Sequence, residues 1–357
     1  MTTFADVPEQ AEAKRLLEAA LAEGPVHAYL LHGPAGTGKR VAARAFAAQL
    51  LGEERRVDAG THPDLRVVEP LGEMIRIDAV RELHRDLHMR PFEADRRVYL
   101  LLDAHRLNDE AAASLLKDLE EPPSYATLVL VADELGPLPP TILSRCQLVP
   151  FRRLSERAVR EWIAQQAPER SEDEVRVLAR AAGGRLDRAR RLLDPDAAAR
   201  RESLIAAARS VYLDPAFDPR EAATVLLDIA AERGAEAKER EQELVDTLDL
   251  PARDADQRVR RVQRGAERDE LLAELEALEA WYRDLVVVGA GAEGAAVHAD
   301  RLTELREDSA VVDGAAEAAE CVRESWRALE EFNLNPSLAL ESLFVRVRRE
   351  VRVAARA

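Results

Sequence analysis

The segment Gly33–Lys39, GPAGTGK, has the spacing of a phosphate-binding loop. In such a loop the glycines let backbone N–H groups turn toward a phosphate, and the following helix N-terminus adds positive potential. An apolar run, AYLLH, precedes the segment and a helical pattern follows it, which is the context that the motif requires. The sequence therefore predicts a nucleotide site that uses Gly33, Gly36, Thr37, Gly38 and Lys39, with Lys39 reaching the outer phosphates.

The residue after the lysine departs from the motif. This position is Ser or Thr in a loop that binds Mg²⁺ with its nucleotide, whereas here it is Arg40. A guanidinium has no acceptor atom, and its positive charge repels a metal ion. Two interpretations stay open: the loop binds nucleotide, or it is a glycine-rich turn that is retained for packing.

The second half of such a site is a strand that ends in acidic residues, which hold Mg²⁺ and orient water. The candidate is VYLLLDAHRLN, residues 98–108, where only Asp103 is acidic and Leu102 and Ala104 flank it. Because both metal-related positions are defective, we expect any ATP or ADP to be bound without hydrolysis, and we predict no metal site.

These residues need an α/β layered domain to position them. The runs AYLLHG, RRVYLLLDA and ATLVLVAD are apolar with little alternation, as in strands of a parallel sheet that is buried on both faces. Helical segments between the runs provide the crossovers. We place this nucleotide-binding domain at residues 1–153.

The strand signal ends after LVPFRRLSE, and helices follow. Ser155 and Ser171 are predicted N-caps, and a pair of glycines ends the second helix, which indicates a small helical domain over 154–196. Residues 197–357 are predicted as an all-α domain, with a nearly uninterrupted helix from ARDADQ to DLVVV.

Composition limits the function further. The formal net charge is −16, which argues against this chain as the main DNA contact, because salt-dependent DNA binding needs Lys and Arg near phosphates. No run approaches the length of a transmembrane helix and the N-terminus lacks a secretion signal, so we expect a cytoplasmic protein that does not enter a membrane. Two cysteines, Cys146 and Cys321, are too few for a four-thiolate zinc site.

Several stretches together resemble a known family. LLKDLEEPP (115–123), LPPTILSRC (138–146), THPDL (61–65) and NLNPSLALESLF (333–344) are similar to the clamp-loader branch of AAA+ proteins, and most of all to the delta-prime subunits of bacterial DNA polymerase III. The resemblance implies a P-loop AAA+ domain, a helical lid and a helical collar that joins a ring of subunits. It also implies gamma/tau and delta subunits as partners, with the sliding clamp and primed DNA reached through the complex.

The resemblance implies a specific role for Ser144-Arg145-Cys146. In the family this arginine reaches the ATP of a neighbouring subunit as an arginine finger, with Ser144 beside it. A guanidinium supplied in trans stabilises the charge that develops on the γ-phosphate and contributes about 10³–10⁵ in rate. The resemblance therefore implies that Arg145 is the catalytic residue that this chain supplies to a neighbour. We expect the chain itself to catalyse no reaction, although it would be a subunit of the DNA polymerase III holoenzyme.

The resemblance also implies losses at the chain's own site. Leu102 and Asp103 fall where hydrolysing relatives carry the metal-binding aspartate and the water-orienting glutamate. Asp133 falls at the first sensor position, and Asp187 at the position of the second sensor arginine, with Arg185 and Arg188 nearby.

The four-cysteine zinc module that is common in the family is absent here. The interval LGEERRVDAGTHPDL has no cysteine, so no zinc is expected, and we predict that His62 is a structural or surface residue rather than a metal ligand. Two alternatives remain: a clamp-loader ATPase that hydrolyses its own nucleotide, and an AAA+ module of recombination or repair.

Overall fold

The computed structural model describes residues 3–70, 74–194, 196–246, 252–332 and 334–353. Contacts divide the chain into two units, Met1–Glu169 with Ala182–Ala189, and Arg170–Ala181 with Arg190–Ala357. The three-domain division with boundaries after residues 153 and 196 stays a prediction.

The first unit is an α/β layered structure, as predicted. Its elements are α1 (Ala11–Glu23), β1 (Ala28–His32), α2 (Lys39–Leu51), α3 (Glu54–Asp58), β2 (Leu65–Val68), α4 (Ile77–Leu87), β3 (Arg97–Leu101), α5 (Asp109–Glu120), β4 (Ala126–Ala132), α6 (Pro140–Leu143), β5 (Gln147–Pro150) and α7 (Glu156–Gln166). The five strands pair in the order β2-β3-β4-β1-β5, and each pairing is parallel. Parallel strands bring their carboxyl ends to one edge, so the segments after β1, β3 and β4 lie side by side.

The three central strands coincide with the predicted apolar runs. Every residue of β3 and β4 is buried, and so are the first four of β1, because helices cover both faces. The strands β2 and β5 are absent from the prediction. They lie at the two edges, each has four residues, and both keep exposed positions, so their sequences lack a continuous apolar run.

Helices of this unit pack on opposite faces of the sheet. The apolar side chains of α1 and α2 join one core with alternate residues of the strands, and those of α4 and α5 join the other. The predicted N-caps Ser155 and Ser171 are confirmed: the side chain of Ser155 accepts from Ala158 N before α7, and that of Ser171 accepts from Glu174 N at 3.3 Å at the start of the next helix. The stretch NDEAAASLLKDLEEPP also predicts Asn108 as an N-cap, and its side chain accepts from Ala111 N before α5.

The second unit is mainly helical. After α7 the chain forms α8 (Glu172–Ala182) and α9 (Leu186–Leu192), of which residues 182–189 belong to the first unit. The second unit continues through α10 (Ala197–Leu213), α11 (Pro219–Val245), α12 (Ala252–Gly289), α13 (Leu302–Ser309), β6 (Val312–Asp313), α14 (Ala315–Glu331), α15 (Pro336–Glu350) and β7 (Arg352–Val353). The long helix α12 confirms the predicted uninterrupted segment, and its buried Trp281 donates a hydrogen bond to the Tyr212 hydroxyl at 3.1 Å.

The all-α prediction for this region needs one correction. The strands β6 and β7 form a two-residue antiparallel pair, which is too short to leave a pattern in the sequence. In the described residues, no helix is both long enough and apolar enough to span a membrane.

Candidate functional site

The loop Gly33–Gly38 connects β1 to α2, as the motif requires. Gly33 has φ +133° and approaches the backbone so closely that an added Cβ would lie 2.1 Å from the carbonyl oxygen of Phe151. Gly38 has φ +94° and precedes the first residue of α2. These two positions require glycine, because a side chain rarely adopts such φ values and no space is left at Gly33. The shape of a phosphate-binding loop is therefore intact.

The side chain of Lys39 is buried within this loop and does not point into solvent. Its side chain is 3% exposed, and Nζ donates to the carbonyl oxygens of Gly33 and Pro34 at 2.6 Å each. The Oδ1 atom of Asp133 lies 2.9 Å from the same nitrogen. Burial lowers the pKa of the Lys39 ammonium, and the carboxylate of Asp133 acts in the opposite direction. The charge that would meet a phosphate is thus already surrounded by three oxygens of the chain.

Arg40 and Asp103, the charged residues at the two positions expected to serve Mg²⁺, pair with each other, so their charges cancel. Arg40 forms an ion pair with Asp103, the acidic residue at the end of β3. Asp103 has a left-handed backbone with φ +54° and its side chain is 15% exposed, whereas Leu102 beside it is buried in the apolar core. The Arg40 guanidinium is therefore paired with the one carboxylate at this strand end that could serve a Mg²⁺ ion, and the apolar side chain of Leu102 provides no second ligand.

A third carboxylate, that of Asp187, lies against the loop Gly33–Gly38 at Gly36. Asp187 lies so near Gly36 that a Cβ added to Gly36 would be 1.8 Å from its Oδ1. The backbone N–H of Leu186 donates to the carbonyl oxygen of Gly36 at 2.8 Å, and Arg185 pairs with Asp187 at 2.7 Å. The carboxylates of Asp103, Asp133 and Asp187 all act on the charge of Lys39.

The other predicted loop residue, Thr37, has a structural contact. It is fully buried, and Oγ1 donates to the carbonyl oxygen of Pro34 at 2.9 Å. The structure thus brings all five predicted loop residues and Asp103 together, but the side chains of Thr37, Lys39 and Asp103 already have partners within the chain. Arg40 and Asp103 are each conspicuous in the sequence, but their pairing leaves no local signal because they are 63 positions apart in the chain.

Arg145 lies at the surface, just after the short helix α6. Its Nη2 lies 2.6 Å from Oε1 of Glu120, the last residue of α5, and Nη1 donates to the carbonyl oxygen of Thr141 at 3.0 Å. The side chain of Arg145 is 33% exposed and that of Glu120 is 51% exposed. Ser144 lies beside the guanidinium, with Oγ 3.3 Å from Nη1. This is an exposed ion pair, and such pairs contribute only about 0–1 kcal/mol, so an approaching anion can replace the carboxylate.

The neighbouring cysteine does not add a nucleophile. Burial raises the pKa of the Cys146 thiol to about 12, so the thiol stays protonated at neutral pH. His62 is 4% exposed and its Nδ1 accepts from the backbone N–H of Asp64 at 3.1 Å, in agreement with a structural role.

Comparison with known proteins shows which proteins this chain is similar to. Residues 9–155 match the family model for DNA polymerase III, delta subunit. The chain is 38% identical over 173 residues to DNA polymerase III subunit delta′ of Pseudomonas aeruginosa, which covers 44% of this chain and 53% of that protein. Subunit delta′ of Bacillus subtilis is 34% identical over 152 residues, covering 39% and 46%.

A related subunit and a solved structure also match. DNA polymerase III subunit tau of Bacillus subtilis is 30% identical over 209 residues, covering 54% of this chain and 37% of that protein. The gamma subunit-related protein of Thermotoga maritima covers 95% of this chain and 99% of its own at 18% identity, with a TM-score of 0.47. The fold described above does not depend on that alignment.

The region that matches the family model contains most residues of the site, whereas Asp187 lies beyond it. The chain spans about half the length of the delta′ proteins that it matches. The family model covers residues 9–155, which contain the loop, Asp103, Asp133 and the Ser144–Cys146 turn. Through its N-terminal part this chain is similar to the delta-prime subunits of DNA polymerase III.

Proposed function

We propose that this chain is a delta-prime-like subunit of the DNA polymerase III clamp-loader complex. In this proposal it does not hydrolyse ATP and supplies Arg145 to the ATP site of a neighbouring gamma/tau subunit. Gamma/tau and delta subunits are its direct partners in the cytoplasm. The complex loads the sliding clamp onto primed DNA, which this chain reaches through the assembly.

The observation that carries the proposal is the charge arrangement around Lys39. Three carboxylates, of Asp103, Asp133 and Asp187, stand around the loop where a triphosphate would place its own negative charge. A nucleotide would have to displace Asp133 from Lys39 and separate Arg40 from Asp103 before Mg²⁺ could be held. Repulsion between the carboxylates and the phosphates acts against both steps.

The exposure of Arg145 supports the second half of the proposal. Phosphoryl transfer concentrates negative charge on the γ-phosphate oxygens, and a guanidinium with free N–H groups stabilises that charge. Glu120 holds Arg145 in place at the surface without burying it. On docking of a neighbour, a phosphate with its higher charge would compete for the N–H groups that Glu120 now binds.

A reconstituted complex tests the arginine. Arg145→Ala should leave assembly unchanged by gel filtration and remove the turnover of the one adjacent site, at which a finger contributes about 10³-fold or more. Arg152→Ala is the matched control, because Arg145 and Arg152 lie on either side of β5 and the side chain of Arg152 is 82% exposed. DNA-stimulated ATPase that is equal in the Arg145→Ala complex and the wild-type complex would refute the finger.

The isolated chain tests the loop. We expect no Mg²⁺-dependent ATPase, and no change in that baseline for Lys39→Ala. The similarity to subunit tau favours the alternative of an ATP-hydrolysing subunit, and turnover that Lys39→Ala abolishes would establish it. Recovery of gamma/tau and delta subunits with the chain from a lysate separates a clamp loader from a recombination or repair module.

A further inference from the structure

Two histidines and an aspartate converge on one face of the first unit, away from the loop. His84 lies in the last turn of α4 and His88 immediately follows that helix, so the two rings are one helical turn apart. Their centroids are separated by 4.8 Å in an edge-to-face arrangement. Asp118 reaches them from α5, and its Oδ1 lies 2.5 Å from Nδ1 of His84.

The aspartate is a buried side chain with an unused acceptor. Asp118 is 2% exposed, and its Oδ2 has no hydrogen-bond partner among the described residues. A buried carboxylate that lacks a full set of partners is costly, because desolvation is not repaid. His84 is 45% exposed and His88 is also exposed, so the carboxylate lies at the bottom of a site whose imidazoles face solvent.

We propose that His84, His88 and Asp118 bind a divalent transition-metal ion, with zinc as the best fit. One potential donor atom from each of the three residues lies within 4.8 Å of the others. Zinc binds imidazole nitrogen and carboxylate oxygen at about 2.0–2.2 Å, usually in a tetrahedron. Donors around such an ion are about 3.3 Å apart, so small side-chain rotations suffice and the helices need not move.

The donor set discriminates among metal ions. Two nitrogens and one oxygen suit zinc, copper or nickel, whereas Mg²⁺ and Ca²⁺ prefer oxygen ligands. Three protein ligands leave a fourth position, which the exposure of both imidazoles opens to water. The simpler alternative is a hydrogen-bonded His84–Asp118 pair, but that pair leaves Oδ2 of Asp118 and the whole of His88 without a function.

This proposal departs from the prediction of no metal site and no zinc, which rested on the defective Mg²⁺ positions, the two cysteines and the cysteine-free interval before His62. The sequence signal was present as a histidine pair at i and i+4 in a helical segment, but the third ligand is 30 residues further along the chain. A bound ion would connect α4 to α5, close to Glu120 at the end of α5. The metal would therefore stabilise the helix that holds the partner of Arg145.

Zinc titration of the tag-free, chelator-treated full chain tests the proposal. We expect one equivalent of zinc by calorimetry, the visible bands of tetrahedral Co²⁺ when cobalt is used instead, and a rise of Tm on metal binding. His88→Gln and Asp118→Asn should each weaken binding at least tenfold. His27→Gln is the control, because His27 is exposed in the same unit and should leave the titration unchanged.

Two results would overturn the proposal. One is a wild-type Kd for zinc weaker than about 10 µM, which would leave a hydrogen-bonded pair only. The other is equal zinc affinity in His88→Gln and wild type. Because His88 is exposed, this variant decides the question even if Asp118→Asn fails to fold.

Discussion

The buried carboxyl group of Glu274 gives a quantitative prediction for the second unit. Glu274 lies on α12, is 5% exposed, and neither side-chain oxygen has a hydrogen-bond partner among the described residues. Burial first, and the neighbouring Glu270 second, raise the pKa of Glu274 from 4.5 to about 9, against the opposing influence of Arg191 and Arg200. The side chain is therefore protonated in the folded chain at neutral pH.

The size of the effect of Glu274 on the free energy of unfolding follows from proton linkage. From pH 4.5 to about 9 the unfolded chain releases a proton that the folded chain keeps. Each pH unit in this interval therefore lowers the free energy of unfolding by about 1.4 kcal/mol. At pH 7 the accumulated cost is about 3 kcal/mol, and at pH 5 it is below about 1 kcal/mol. Glu274→Gln has nearly the same shape and no proton to release, so it should recover this free energy.

Urea unfolding of the full chain measures the effect. Trp281 and Trp326 belong to the second unit and Trp162 to the first, so tryptophan fluorescence follows mainly the second unit. Glu274→Gln should be more stable than wild type at pH 7, with a difference that shrinks toward pH 5. Glu239→Gln, at an exposed position of α11, should show no such difference. A variant that is no more stable than wild type at pH 7, or whose gain is the same at both pH values, would refute the reasoning.

Two further stability predictions concern the first unit. Asp64→Asn should lower the free energy of unfolding by about 2–4 kcal/mol, because the fully buried carboxylate accepts three backbone N–H groups before β3, at 2.7, 2.9 and 2.9 Å. Asp95→Asn, at an exposed position in the same turn, should stay within about 0.5 kcal/mol of wild type in urea unfolding. Gly33→Ala should cost at least about 2 kcal/mol by the same measurement, because its Cβ would lie 2.1 Å from the Phe151 carbonyl oxygen at φ +133°. Gly136→Ala, where no atom lies within 4 Å of the added Cβ, should have little effect, and equal losses in the two glycine variants would contradict this account.

Much of the first unit could be predicted because its signals are local. The central strands β1, β3 and β4 are buried on both faces, so their apolar runs identify them without knowledge of the fold. The caps Asn108 and Ser155 act on residues three positions away. The edge strands β2 and β5 depend on pairing with a neighbour that is distant in sequence, and their mixed polarity hides them.

The sequence by itself determined that this chain has the motif of a phosphate-binding loop, an acidic strand end with one carboxylate, and an arginine after α6, because each is encoded in consecutive residues. Only the tertiary structure decided what these groups contact. Asp133 reaches Lys39, Asp103 pairs with Arg40, and Glu120 holds Arg145. The physical reason is that a parallel sheet brings together the ends of strands that are far apart in the chain, and charges pair by distance in space rather than by position in the sequence.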